Sequence, residues 1–65
     1  MNILLNQKPL PLAEGTSLAQ ALAMQALRQP YAVAINTVFV PRAQYAVRIL
    51  QDSDRVEVVS PVTGG

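Results

Sequence analysis

Apolar positions recur along this chain in short runs with a period of two, interrupted once by a longer stretch of another character. "NILLN" (2–6) is apolar between polar ends, and "KPLPL" (8–12) offers a second extended segment. Pro9 and Pro11 lack a donor N–H, so that strand is expected at a sheet edge, or beginning only after the prolines. "AEGTSLAQALAMQAL" then breaks the alternation. Gly15 stops the strand, and Ser17 with Gln20 three residues on forms a capping box ahead of Ala, Leu, Met and Gln. The cap and the propensities predict a helix over 17–27, with Leu18, Ala21, Leu22 and Gln25 or Ala26 facing the core and Pro30 marking its exit.

"YAVAI" and "VFV" restore the period of two on either side of Asn36-Thr37, and Pro41 ends the second run. "RAQYAVRIL" has no clear period and predicts a short turn of helix followed by a loop. "QDSD" supplies a turn, because Asp and Ser side chains bond to nearby backbone. "RVEVV" is the last strand, with Val56 and Val58 on one face and Glu57 and Val59 on the other. The order ββαβββ describes an α+β fold, a sheet crossed by one helix.

Composition narrows the function. With 51% hydrophobic and 14% charged residues the chain is far from a disordered composition. Sixty-five residues make one domain of 1–65, too small for a deep catalytic cleft. The chain has no cysteine or histidine, which excludes a disulfide framework, a thiolate zinc site and the commonest neutral-pH base. Small secreted domains usually carry disulfides, and "MNILLNQK" lacks the basic start and long apolar run of a signal peptide, so a cytoplasmic location is expected. Net charge is +1, and Arg42, Arg48 and Arg55 are scattered, so neither a nucleic-acid surface nor a membrane span is indicated.

The chemistry concentrates at the end. After a folded core of 1–59, Pro61 takes the chain out of the sheet, and 60–65 reads as a flexible tail. Gly64 and Gly65 have no Cβ, so the tail fits a narrow slot and presents its carboxylate without flanking side chains. A carboxylate is a poor electrophile and needs activation, for example as an acyl-adenylate. The chain has no phosphate-binding glycine loop and no metal-ligand cluster, so a partner must supply that activation with ATP. On this reading the protein is no enzyme: it binds no cofactor and is the substrate whose terminus is charged. Against it stands the simpler reading of a frayed end.

These segments together resemble the ThiS family, the sulfur carriers of thiamine thiazole biosynthesis, over essentially the whole chain. The resemblance is carried in order by "ILLN", "EGTSLAQAL", "VAIN", "FVPR", "QDSDRVEVV" and the final "GG". It implies a β-grasp, ubiquitin-like fold with a mixed sheet. It also implies that an E1-like adenylyltransferase, ThiF in this family, adenylates Gly65 with Mg-ATP. A persulfide donor then converts the adenylate to a thiocarboxylate, which thiazole synthase (ThiG) consumes. Gly65 would carry the sulfur and Gly64 would let the tail thread both partners; the missing cysteines fit sulfur held on the terminus.

Ser53 stands where that family usually has Gly, a position serine tolerates if the turn is of type I. "PVTGG" also looks like the tail of MoaD, the small subunit of molybdopterin synthase, which is the second reading; a non-covalent β-grasp interaction module is the third. Asp52-Ser53-Asp54 does not continue as a calcium loop, since Glu57 occupies the position that requires glycine. Tyr31, Phe39 and Tyr45 are expected to pack in or near the core. A carrier also needs an exposed apolar patch on its sheet, to which Phe39, Val56 or Val58 would contribute.

Overall fold

In the computed structural model, residues 1–25 and 31–59 are described. They form strands β1 (Asn2–Leu5) and β2 (Lys8–Pro11), helix α1 (Leu18–Ala23), strands β3 (Ala32–Ile35) and β4 (Val38–Val40), a 3-10 turn (Arg42–Gln44), and strand β5 (Arg55–Val59). The strands lie in the order β2-β1-β5-β3-β4. β1 and β5 run parallel at the centre, and every other neighbouring pair is antiparallel. The expected α+β architecture with a mixed sheet is therefore present, and β2 with its two prolines lies at an edge, where the missing donors cost no ladder bond.

Both hairpins close through two residues with positive φ, Asn6 and Gln7 in one and Asn36 and Thr37 in the other. That is the type I′ pattern, whose twist matches the flanking strands, and asparagine suits its first position because it tolerates left-handed backbone. Register follows from these turns. Ile35 faces Val38 and Val33 faces Val40, while Val33 and Ile35 face Val58 and Val56 across β5. One face of the sheet thus presents Val33, Ile35, Val40 and Val56, which bury with Ile3 against Leu18, Ala21 and Leu22 of α1.

The capping box is formed as expected. Ser17 Oγ accepts from the Gln20 amide at 3.1 Å and Gln20 Oε1 accepts from the Ser17 amide at 2.9 Å. Helical N–H groups beyond the cap's reach find the 45–50 segment instead, Leu18 N donating to Arg48 O and Ala19 N to Tyr45 O. The helix is shorter than the propensities predict. It ends at Ala23 with Met24 as C-cap, and Gln25 N donates to Leu22 O, a tightened i→i+3 closure. The remainder of the expected helix, Ala26 and Leu27, and its exit at Pro30 lie outside the described residues. The stripe of Leu18, Ala21 and Leu22 is buried and Gln25 is half-buried.

The "QDSD" turn is of a different type from the one that would favour serine. Ser53 has φ +72 while Asp52 does not share a positive φ, and Asp54 N donates to Gln51 O. This is the type II pattern, in which the third residue must be left-handed. The turn is held there because Ser53 N donates to Asn2 O at 2.7 Å and Asp52 Oδ1 accepts from Asn2 N at 2.7 Å.

Candidate functional site

Gly64 and Gly65 lie outside the described residues, as does all of 60–65; the last described residue of the chain is Val59, at the end of β5. What the fold builds is the strand that leads into the tail. β5 is the central strand, and its hydrogen bonding continues past the ends of its neighbours by a device repeated on both sides. Asn6 N donates to Val56 O at 2.9 Å, and Asn6 Oδ1 accepts from Val58 N at 2.8 Å. Across the strand, Asn36 N donates to Arg55 O at 2.8 Å and Asn36 Oδ1 accepts from Arg55 N at 2.9 Å. Each asparagine has turned its own backbone carbonyl into a hairpin bend, and its side-chain carbonyl takes the vacated place in the ladder.

Asp54 secures the start of the strand. It is 6% exposed, and its carboxylate accepts from Asn36 Nδ2 at 3.0 Å and Gln51 N at 2.8 Å, while its backbone carbonyl accepts from Leu4 N. A buried carboxylate is tolerable only with such donors around it. Sequence reasoning read Asp54 as a turn residue and missed this second task. The sequence pattern likewise shows Asn6 only as the polar end of an apolar run and Asn36 only as a break between two runs.

The face of the sheet opposite α1 is open. Register places Ala32 and Ala34 of β3 on it, facing Val59 and Glu57 of β5, with Phe39 of β4 facing Ala34 and Leu4 facing Arg55 on the other flank. Phe39 is 64% exposed and Val59 60% exposed. Phe39 is therefore not in the core, contrary to expectation, because α1 covers the other face. Val56 is buried and Val58 half-buried on the α1 side, so neither joins an exposed patch; Val59 takes their place. Two alanines between Phe39 and Val59 leave a shallow apolar saddle that ends where the tail begins.

Tyr31 and Tyr45 pack as expected, half-buried and stacked with ring centroids 6.4 Å apart. Burial pushes the Tyr45 phenol above its ordinary pKa; the neighbouring Tyr31 adds to this and Arg42 opposes it. Among the described residues no group of three or more His, Cys, Asp or Glu is placed to hold a metal ion, and no helix is long and apolar enough to cross a membrane.

Residues 3–65 match the model of the ThiS family. The chain is 36% identical to the sulfur carrier protein ThiS of Escherichia coli (strain K12) over 66 residues, covering all of both chains. Its fold superposes on the crystal structure of a thiamine biosynthesis protein (ThiS) from Geobacter metallireducens with a TM-score of 0.84, at 26% identity and with full coverage of both chains. A β-grasp sheet of five strands, one short helix, a clamped central strand and a terminal Gly-Gly are thus joined to a match along nearly the whole sequence, and the chain belongs to the ThiS family of small sulfur carriers, which are not themselves catalysts.

Proposed function

We propose that the protein carries sulfur as a thiocarboxylate on Gly65 for thiamine thiazole synthesis. A Gly65 carboxylate oxygen attacks the α-phosphorus of ATP held with Mg2+ by a ThiF-like adenylyltransferase, forming the acyl-adenylate and releasing pyrophosphate. The terminal sulfur of a donor persulfide then attacks the acyl carbon and displaces AMP. A second thiolate cleaves the resulting acyl disulfide, forming a new disulfide and leaving –COS⁻ on Gly65. A ThiG-like thiazole synthase takes that sulfur. The reading places the chain in the cytoplasm beside its ATP-using partner.

The observation that carries this reading is the clamping of β5 by Asn6 and Asn36. A carrier presented in turn to an activating enzyme and an acceptor enzyme needs a rigid base from which its terminus is aimed. Preorganising that base lowers the ordering cost of each encounter. The apolar saddle of Phe39, Ala34, Ala32 and Val59 adds a docking surface continuous with the tail, since both partners must hold the body of the carrier while threading its glycines.

Intact-mass spectrometry tests it. The full chain is incubated with ATP, a sulfide source and the adenylyltransferase. The expected result is a mass gain equal to exchanging one oxygen for sulfur, mapped to Gly65 and abolished when ATP is omitted. No gain, beside a carrier that is charged in the same mixture, would remove the proposal and favour a non-covalent module.

A further inference from the structure

The open face of the sheet, away from α1, carries little charge. Alternation about the buried Ile3, Val33 and Val56 puts Leu4, Ala32, Ala34, Phe39 and Val59 on it. Among the described strand residues on that face, the only formal charges are Arg55 and Glu57, both exposed and two residues apart on the central strand. Residues so spaced along a strand share a face and stand about 6.6 Å apart. No ion pair joins either side chain to another described residue. Arg55 and Glu57 also line a hollow of about 110 Å3 that runs across β5 from the first hairpin turn, at Gln7, to the second, at Thr37.

We infer that a second copy of this chain covers the face, with Arg55 of each copy paired to Glu57 of the other. The arrangement of charge selects that occupant. A cation and an anion on one strand are complementary to their own image under a two-fold axis that crosses β5 at Val56 and lies in the plane of the contact. The central strands of the two copies then run antiparallel. Parallel strands would set Arg55 on Arg55 and Glu57 on Glu57, which like-charge repulsion disfavours. The same axis makes neighbours of the two Phe39 side chains, because Phe39 lies level with Glu57, both being opposite Ala34. With a net charge of +1, two copies meet with little overall repulsion.

The contact is small. A sheet of five short strands offers a face of roughly 20 by 13 Å, well short of the about 800 Å2 that each partner buries in a standard stable interface. The pair is therefore transient, and an enzyme that grips the same face more tightly displaces the second copy. Its role is to cover Phe39 while the chain is unengaged. Val59 of the two copies lies at opposite ends of the antiparallel pair, so neither end of β5 obstructs the other.

Diffusion NMR on the full-length chain, from about 20 μM to about 2 mM, tests this. The natural chain should diffuse more slowly as its concentration rises, with the Phe39 ring signals moving in parallel. Arg55→Glu and Glu57→Arg each bring like charges together at the axis and should weaken self-association by at least about ten-fold. An equimolar mixture of these two variants restores both pairs and should regain it, as should the double variant R55E/E57R alone. The dilution series of the natural chain stands even where a variant fails to fold. Diffusion of the natural chain that does not change with concentration would overturn the inference, as would single reversals that associate like the natural chain or a mixture that stays monomeric. A monomeric natural chain whose reversals weaken binding to the adenylyltransferase would assign the two charges to the enzyme and not to a second copy. The mass measurement reads Gly65 separately, since sulfur gain and self-association can each fail without the other.

Discussion

The side-chain carbonyl of Asn6 accepts a hydrogen bond from the Val58 amide at 2.8 Å, joining residues 52 apart in the chain. Because Asn6 has φ +49 and its own carbonyl belongs to the hairpin bend, the side chain extends the parallel β1–β5 ladder by one rung. Asn6→Gly keeps the bend and removes the acceptor, at a cost of about 1 kcal/mol. Asn6→Ala also places a Cβ in left-handed backbone and costs about 1 kcal/mol more. Urea titrations order the variants. Hydrogen exchange gives the sharper result, since the Val58 amide must lose protection in Asn6→Gly, and unchanged exchange there would sink the assignment of the clamp.

Ser53 occupies backbone that glycine adopts freely, with φ +72. Relief of the left-handed penalty, about 1–2 kcal/mol, exceeds the extra chain entropy glycine loses on folding, about 0.5–1 kcal/mol. Ser53→Gly should therefore stabilise the fold, raising the thermal midpoint by a few degrees, given about 4–8 °C per kcal/mol for a domain of this size. Thr37, at φ +71 and β-branched, offers the same gain through Thr37→Gly. A lowered midpoint in both variants would show that side-chain contacts, not backbone strain, govern these turns.

Much of this architecture is legible in the chain because local signals and tertiary structure agree. The box of Ser17 and Gln20, the edge prolines and the alternation in "RVEVV" each have a physical meaning that tertiary structure has no reason to override. Phe39 shows where that logic ends. A period of two says that Val38 and Val40 share a face and Phe39 has the other, but not which face the helix covers. Asn6, Asn36 and Asp54 show a second limit: turn residues announce the bend, while their hydrogen bonds to residues about 20 or 50 positions away in the chain depend on sheet order. Gly64 and Gly65 lie outside the described residues, so the reading of the tail rests on the sequence alone.

Tyr45 sets an alkaline limit on stability. Its phenol has a raised pKa in the folded state through burial, so the folded chain retains that proton where the unfolded chain releases it. Stability is then full below the ordinary tyrosine value of about 10 and falls as pH rises through the higher folded value. Tyr45→Phe removes this titrating group. Between about pH 9 and 11 its unfolding free energy should decline less steeply than that of the natural chain, by urea titration at each pH. Parallel declines would show that Tyr45 does not carry the dependence.

Exposed apolar side chains occur on both sides of this molecule, and the proposed docking role belongs to one side only. Phe39 lies on the open face that ends at Val59, whereas Val47, 74% exposed, sits in the segment that caps the start of α1. Phe39→Ser and Val47→Ser remove comparable exposed hydrophobicity and should each change stability by no more than about 0.5 kcal/mol. Their effects on the adenylyltransferase should differ. An aromatic side chain central to an interface contributes about 2 kcal/mol or more, so Phe39→Ser should weaken binding by about thirty-fold. Val47→Ser should leave it within about two-fold, because that residue lies on the other side of the sheet. Calorimetric titration of each variant into the partner enzyme measures both. Equal losses would mean that the partner responds to apolar surface in general, and the saddle between Phe39 and Val59 would lose its claim to be the docking surface.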